Sequence, residues 1–245
     1  MRVEAIVEAQ ADYPDLVKGI KSHGESGGFS FWETDVLEMA VEAGDVTGLP
    51  LYIHTGELFP VDEPNRPRPE TVMERVLPLV RPGDTVAHVY SCMPDGIMGP
   101  GDKVPDVVLE AYERGVHFDI GYGVNFSYRI ARAMMAAKLF PNTIGSDVHA
   151  DFNSYHDDSL LDYSLCGAMT RLNALGMPLA DVIRRGMPSA FRRDPPRDRE
   201  PGQDPAGRKR NRHARYRIPR RYYRAGPGRR KMGPARRRRR NPQRR

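Results

Sequence analysis

The 245 residues carry a formal net charge of +6 and 39% hydrophobic side chains, enough apolar material for one large α/β domain or two small ones. The charge is unevenly placed: residues 192–245 hold 23 Lys and Arg against four Asp and Glu, a net of +19, so residues 1–191 stand at −13. An acidic body of this kind is ordinary for a soluble enzyme and carries no nucleic-acid signal. Cys92 and Cys166 form neither a metal-type pair nor a disulfide framework, which fits free thiols in a reducing compartment. No apolar run approaches the roughly 18 residues that a membrane crossing needs. The N-terminal segment also lacks the basic-then-apolar pattern of an export signal. The expectation is a cytoplasmic protein with no membrane partner.

Residues 16–21 form the first predicted strand, so the chain is expected to start almost directly on one. Residues 34–43 follow as a helix with Leu37, Ala40 and Val41 on one face. The second strand is 49–55. The helix at 69–80 lines up Met73, Val76, Leu77 and Val80, with Pro78 weakening its last turn. Strand 85–90, helix 104–114, strand 116–121, helix 127–139 and strand 143–147 continue the alternation. Two further helices are expected at 160–175 and 179–185. The strands are apolar for much of their length, as strands covered on both faces are.

A strand-helix repeat of about 30 residues argues for a parallel sheet. An open doubly wound sheet and a (β/α)8 TIM barrel compete as architectures. Lys21, His54, His88 and Asp147 each fall at or near the C-terminal end of a predicted strand, where a barrel gathers its chemistry. The Gly-rich first turn of a nucleotide-binding open sheet is missing from the required context. The expected fold is therefore α/β, a partial (β/α)8 barrel over residues 1–192 with five strands visible, followed by a disordered basic tail over 193–245.

A hydrolytic metal centre needs nitrogen and oxygen ligands, an open position for water, and a carboxylate to carry the proton. His54 in Tyr-Ile-His-Thr-Gly-Glu, His88 in Ala-His-Val-Tyr-Ser and Asp147 in Ile-Gly-Ser-Asp-Val-His supply these types, and Lys21 adds an amine. The intervals between the four are 33, 34 and 59 residues, which keeps the register of one, one and two strand-helix units. Each residue also has a plainer reading. A strand-end lysine can reach for solvent, histidines can be hydrogen-bonded in a core, and an aspartate can cap the next segment. The ordered set favours metal binding.

Val-Lys-Gly-Ile-Lys, Leu-Tyr-Ile-His-Thr-Gly-Glu, Ala-His-Val-Tyr and Phe-Pro-Asn-Thr-Ile-Gly-Ser-Asp-Val-His resemble successive strand ends of the amidohydrolase superfamily, over about residues 14–192. The most similar branch is the amidohydrolase/deacetylase group related to dihydroorotase. The resemblance implies strands four to eight of the barrel, with Lys21 carboxylated and bridging two zinc ions (Zn2+). It implies His54 and His88 as ligands of one ion, and Asp147 as ligand of the other and catalytic acid/base. The implied activity is a metal-dependent hydrolase that opens an amide, a cyclic amide or an acetyl ester with a zinc-activated hydroxide. Its partner is a small-molecule substrate, an N-acyl or acetylated acid or a cyclic amide, and a homo-oligomer is left open. The family's His-x-His pair from strand one has no match, since His23, His117, His149 and His156 do not sit in that context. The first three strand-helix units are therefore expected to be absent. That leaves one metal two ligands short, so a second reading stands beside the first: a catalytically inactive barrel fragment.

His149 either orients Asp147 or is a loop histidine. The loop at 121–125 either faces substrate or turns on its glycines for backbone reasons. Cys92 is expected to be structural. From Arg192 onward the chain has 21 arginines and only Lys209 and Lys231, with a run of five arginines at 236–240, and too little apolar surface to fold. One reading makes this tail a nucleic-acid arm, its arginines pairing phosphates nonspecifically while Tyr216, Tyr222 and Tyr223 stack on bases. The favoured reading is a frame shift in GC-rich coding DNA, whose out-of-frame codons enrich Arg, Pro, Gly and Ala.

Overall fold

The computed structural model describes residues 2–24, 26–56, 61–93, 95–99, 101, 103–122, 126–148 and 164–187. All belong to one unit, Met1–Pro195; the second unit, Pro196–Arg245, lies outside the described residues, and so does the expected basic tail from 193 onward.

Four strands, β1 (Ile20–His23), β2 (Leu51–His54), β3 (Thr85–Val86) and β4 (His117–Phe118), form one parallel sheet in that order. Helices α3 (Asp35–Thr47), α4 (Pro69–Val76) and α5 (Asp106–Glu113) lie between successive strands in the chain. Parallel neighbours need such crossovers, and the α/β class with a parallel sheet is as expected. The strands shorten across the sheet, from four residues in β1 and β2 to two in β3 and β4.

The fifth expected strand, 143–147, is reduced to a single parallel bridge, Asp119↔Thr143. Its Gly145 and Ser146 are poor strand formers. Ile144 N–H turns instead to the Arg185 carbonyl at 3.0 Å.

The start of the chain also departs from expectation. A helix, α1 (Val3–Asp12), precedes β1, and the strand runs from Ile20 rather than residue 16. Leu16 and Val17 instead donate to the Tyr13 carbonyl in a turn that follows α1, and Leu16 is 77% exposed. A second helix that sequence periodicity did not suggest, α2 (Ser26–Trp32), contains two glycines and buries Phe29. Tertiary packing overrides propensity there.

Elsewhere the elements follow local chemistry. The α3 helix ends on Gly48 at φ 72°, the left-handed cap that glycine adopts without strain. Proline starts α4, and Pro78, lacking an N–H, turns its end into a 3-10 segment, Leu77–Leu79. Ser127 and Ser164 cap α6 (Tyr128–Ala136) and α7 (Leu165–Ala174), each accepting a backbone N–H with its hydroxyl. The helix expected over 160–175 is described only from α7 onward, since 160–163 lie outside the described residues. The last helix is α8 (Leu179–Gly186).

Strand alternation sorts the side chains into two faces. Ile53, Val86 and Phe118, in register across β2, β3 and β4, are fully buried and belong to a core with Leu37, Val76, Val108 and Ala111. Each such side chain contributes about 1.5–3 kcal/mol when fully buried. The other face carries Lys21 opposite Tyr52 and His23 opposite His54. At the N-terminal end of the strands, Asp84 ties the sheet together. Its carboxylate accepts the Leu51 N–H at 2.8 Å and the Arg81 guanidinium at 2.9 Å. Arg81 reaches on to Asp45 at 2.7 Å. No described helix is long and apolar enough to cross a membrane.

Candidate functional site

His54, His88 and Asp147 meet at the C-terminal end of the sheet, and Lys21 stands nearby within β1. His54 is the last residue of β2, and its Nδ1 lies 2.8 Å from Nε2 of His88. His88 follows β3, with Nδ1 4.0 Å from Asp147 Oδ2. Lys21 sits inside β1, two residues before its end rather than at it, with Nζ 4.4 Å from the centre of the Tyr52 ring. Burial lowers the Lys21 pKa, opposed by the negative charges of Asp147 and then Asp119.

His88 and Asp147 leave the strand direction abruptly, with φ of 65° and 50°. They are two of the four described non-glycine residues in the left-handed region. A non-glycine residue held there is strained by roughly 1–2 kcal/mol, a feature that concentrates at functional sites. At residue 88 the departure from the strand accompanies a ring that faces His54.

The outer nitrogens of the imidazole pair face carbonyls. His88 Nδ1 is 2.8 Å from the Gly121 carbonyl and His54 Nε2 is 3.2 Å from the Gly56 carbonyl. A carbonyl only accepts, so these contacts favour a proton on each outer nitrogen, most strongly on His88 Nδ1. With both protons outside, the inner nitrogens, His54 Nδ1 and His88 Nε2, turn lone pairs toward each other. A proton on either inner nitrogen or a cation shared by the two relieves that contact. Burial, followed by the nearby His88, Lys21 and His23, depresses the His54 pKa to about 3, so His54 is not the ring that charges. Two imidazole nitrogens facing each other are donor types that suit a divalent cation. Among the described residues no group of three or more His, Cys, Asp or Glu is arranged to hold a metal ion.

Sequence reasoning missed several neighbours. His23 ends β1 in register with His54, the two ring centroids 5.4 Å apart. The Tyr52 hydroxyl donates to Asp119 Oδ2 at 2.7 Å, and Asp119 Oδ1 accepts from the Thr143 hydroxyl. Burial first, and then the Asp119 charge, raise the Tyr52 pKa. A charged residue inside the apolar run Val-His-Phe-Asp-Ile was the available signal for Asp119, since a buried carboxylate requires partners. Cys92 is exposed. His149, His156 and residues 123–125 lie outside the described residues. A separate cavity of about 340 Å³, lined by Met73, Ile97, Met98 and Val107 with Glu74 and Lys103, includes none of the site residues.

No family model matches the chain. Among curated proteins it is 22% identical to a deacetylase of Agrobacterium fabrum over 182 residues, covering 74% of this chain and 41% of that protein. A deacetylase of Brucella anthropi matches at 22% with the same coverage, and one of Enterococcus faecalis at 24% over 194 residues, covering 76% and 47%. Among solved structures, an adenine deaminase superposes with TM-score 0.62 at 23% identity, covering 77% of this chain and 48% of that one. A dihydroorotase superposes with TM-score 0.60 at 22% identity, covering 78% and 48%. The chain thus resembles proteins of the amidohydrolase type. It spans less than half the length of each of these relatives. Its α/β fold is similar to that of TIM-barrel amidohydrolases.

Proposed function

We propose that this chain is the metal-binding part of a hydrolase that opens an amide, a cyclic amide or an acetyl ester, and that it forms strands four to eight of a (β/α)8 barrel. The observation that carries this reading is the pair of buried imidazoles, with His54 Nδ1 and His88 Nε2 2.8 Å apart and both outer nitrogens facing carbonyls. The deacetylase names of the curated relatives support the substrate class, an acetylated or N-acyl small molecule.

In this reading His54 and His88 hold a divalent ion, most simply zinc, with Lys21 and Asp147 beside it. The bound ion supplies Lewis-acid polarisation of the carbonyl and a water of lowered pKa. The chain's own residues do the rest. Gly56 and Gly121 hold the rings by their outer nitrogens, the arrangement that orients metal-binding histidines generally. Asp147, its side chain 38% exposed, is open to solvent and substrate. It takes the proton from the attacking water and returns it to the leaving nitrogen or oxygen. Burial moves the Lys21 pKa downward, the direction that favours the neutral amine which reacts with carbon dioxide. Carboxylation would bond its nitrogen to the carbon and release the amine proton to solvent, giving the carbamate that the family resemblance implies. A cytoplasmic setting belongs to the same reading, supported by the two exposed free cysteines.

The test is metal content per chain by elemental analysis, on protein purified without chelator, in wild type and in His54→Ala/His88→Ala. Near-stoichiometric zinc that disappears in the double variant supports the site and justifies screening N-acetyl and cyclic amide substrates. Folded wild-type protein without zinc overturns it.

A further inference from the structure

One buried carboxylate touches the supports of groups on both sides of this site. Asp119 follows β4 and is 1% exposed. Its N–H donates to the Val86 carbonyl at 2.9 Å and its carbonyl accepts from Val89 N–H at 3.3 Å, so its backbone is fixed along β3. Oδ2 accepts from the Tyr52 hydroxyl at 2.7 Å and from Gly121 N–H at 2.9 Å, and Oδ1 accepts from the Thr143 hydroxyl. Two of these partners lead onward. Tyr52 presents its ring to Lys21 Nζ, and the Gly121 carbonyl accepts from His88 Nδ1. The next peptide N–H, of Tyr122, is held by the Gly145 carbonyl at 2.9 Å, so residue 121 is clamped on both sides. Gly145 also lies close against Asp119: a Cβ there would stand 3.2 Å from Oδ2, so the carboxylate would have to shift by a few tenths of an ångström.

Magnitudes argue that this carboxylate is more than a tie between strands. Burying a charge costs several kcal/mol, and a neutral, well-packed replacement is often as stable. Here three donors saturate the charge, and two of those donors support Lys21 and His88. We propose that Asp119 is a positioning residue of the site. It fixes the backbone at Gly121 so that His88 keeps its proton on Nδ1 and turns Nε2 toward His54. Through Tyr52 it places a negatively polarised surface beneath Lys21. This rests on the metal-site reading above, in which Nε2 of His88 is a ligand atom.

The test compares Asp119→Ala, Asp119→Asn and Thr143→Val in the full chain by ring-nitrogen NMR of His88. It uses metal-free protein at about pH 8, above the ordinary histidine range. Zinc affinity is measured alongside. Asn can keep its oxygen toward Tyr52 and Gly121 and turn its amide toward the Thr143 hydroxyl, so it should preserve the tautomer. Wild type and Asp119→Asn are expected to show His88 protonated on Nδ1 alone. Asp119→Ala is expected to show both tautomers in exchange and to bind zinc about 10- to 100-fold more weakly. Thr143→Val, which removes only the Oδ1 partner, should match wild type. A folded Asp119→Ala that keeps the single Nδ1–H tautomer overturns the proposal, as does Thr143→Val behaving like Asp119→Ala. If Asp119→Ala does not fold, Asp119→Val, which fills more of the space but offers no acceptor to Gly121 N–H, carries the same expectation. Failure of both to fold also counts against it, because the residue would then act through the whole fold. Absence of zinc from wild type defeats the metal reading while leaving the tautomer result standing, so the two failures are separable.

Discussion

Gly121 stands directly against the His88 ring: a Cβ built on it would come within 2.7 Å of Nδ1 and 2.8 Å of Cε1. Its φ of 44° is also one that an alanine adopts only with strain. Gly121→Ala is therefore expected to lose about 1–3 kcal/mol of unfolding free energy. The displaced ring should also cost at least about 10-fold in zinc affinity. Urea unfolding and a zinc titration measure the two effects, and unchanged affinity would show that His88 is not held from this side.

The pH dependence of stability should carry the signature of His54. Its folded pKa is about 3 against an ordinary 6.5, so between those values the unfolded chain binds the extra proton. The stabilisation is complete above about pH 6.5 and drains away as pH falls toward 3. The limiting slope is about 1.4 kcal/mol per pH unit. Urea midpoints of chelator-treated wild type and His54→Asn, compared from neutral pH downward, should converge as the pH drops. Parallel curves would contradict the assignment.

Asp84 anchors the opposite end of the strands and should matter for folding alone. Asp84→Ala leaves the buried Leu51 N–H without its acceptor and Arg81 with Asp45 as its remaining carboxylate, which costs about 1–3 kcal/mol. Zinc per folded chain should stay at the wild-type value, checked by elemental analysis beside denaturant unfolding.

A smaller effect is expected at a helix start. Ser127→Ala removes the hydroxyl that accepts Ile130 N–H and should destabilise the chain by about 0.5–2 kcal/mol. Thermal unfolding reads it, and a neutral result would mean that α6 is held by packing of Ile130 and Met134 alone.

Much of this arrangement was legible in the chain, and the reasons differ by residue. His54, His88 and Asp147 stand out because polar groups at the ends of apolar runs, spaced by whole strand-helix units, have little reason to recur. Lys21 was found but misplaced within its strand. Leu16 and Val17 look like strand residues, yet α1 ends in a turn that keeps them off the sheet, and turn geometry after a helix has no period to detect. Tyr52 and Asp119 were hidden for the opposite reason. They lie within runs that alternate correctly, and only the sheet register brings Tyr52 to Asp119 across 67 residues of sequence. The two short helices escaped because α1 buries no side chain and α2 owes its shape to Phe29 packing rather than to propensity.

The left-handed backbone at His88 and Asp147 sets durability against reactivity. Glycine at Asp147, whose side chain is 38% exposed, would relax the chain by roughly 1–2 kcal/mol, whereas at buried His88 the emptied space outweighs that gain. A laboratory lineage selected for heat tolerance alone would be drawn toward glycine at 147 and away from it at 88. It would yield a sturdier protein, in the proposed reading one without its proton carrier, whereas selection for turnover would keep the tension in place.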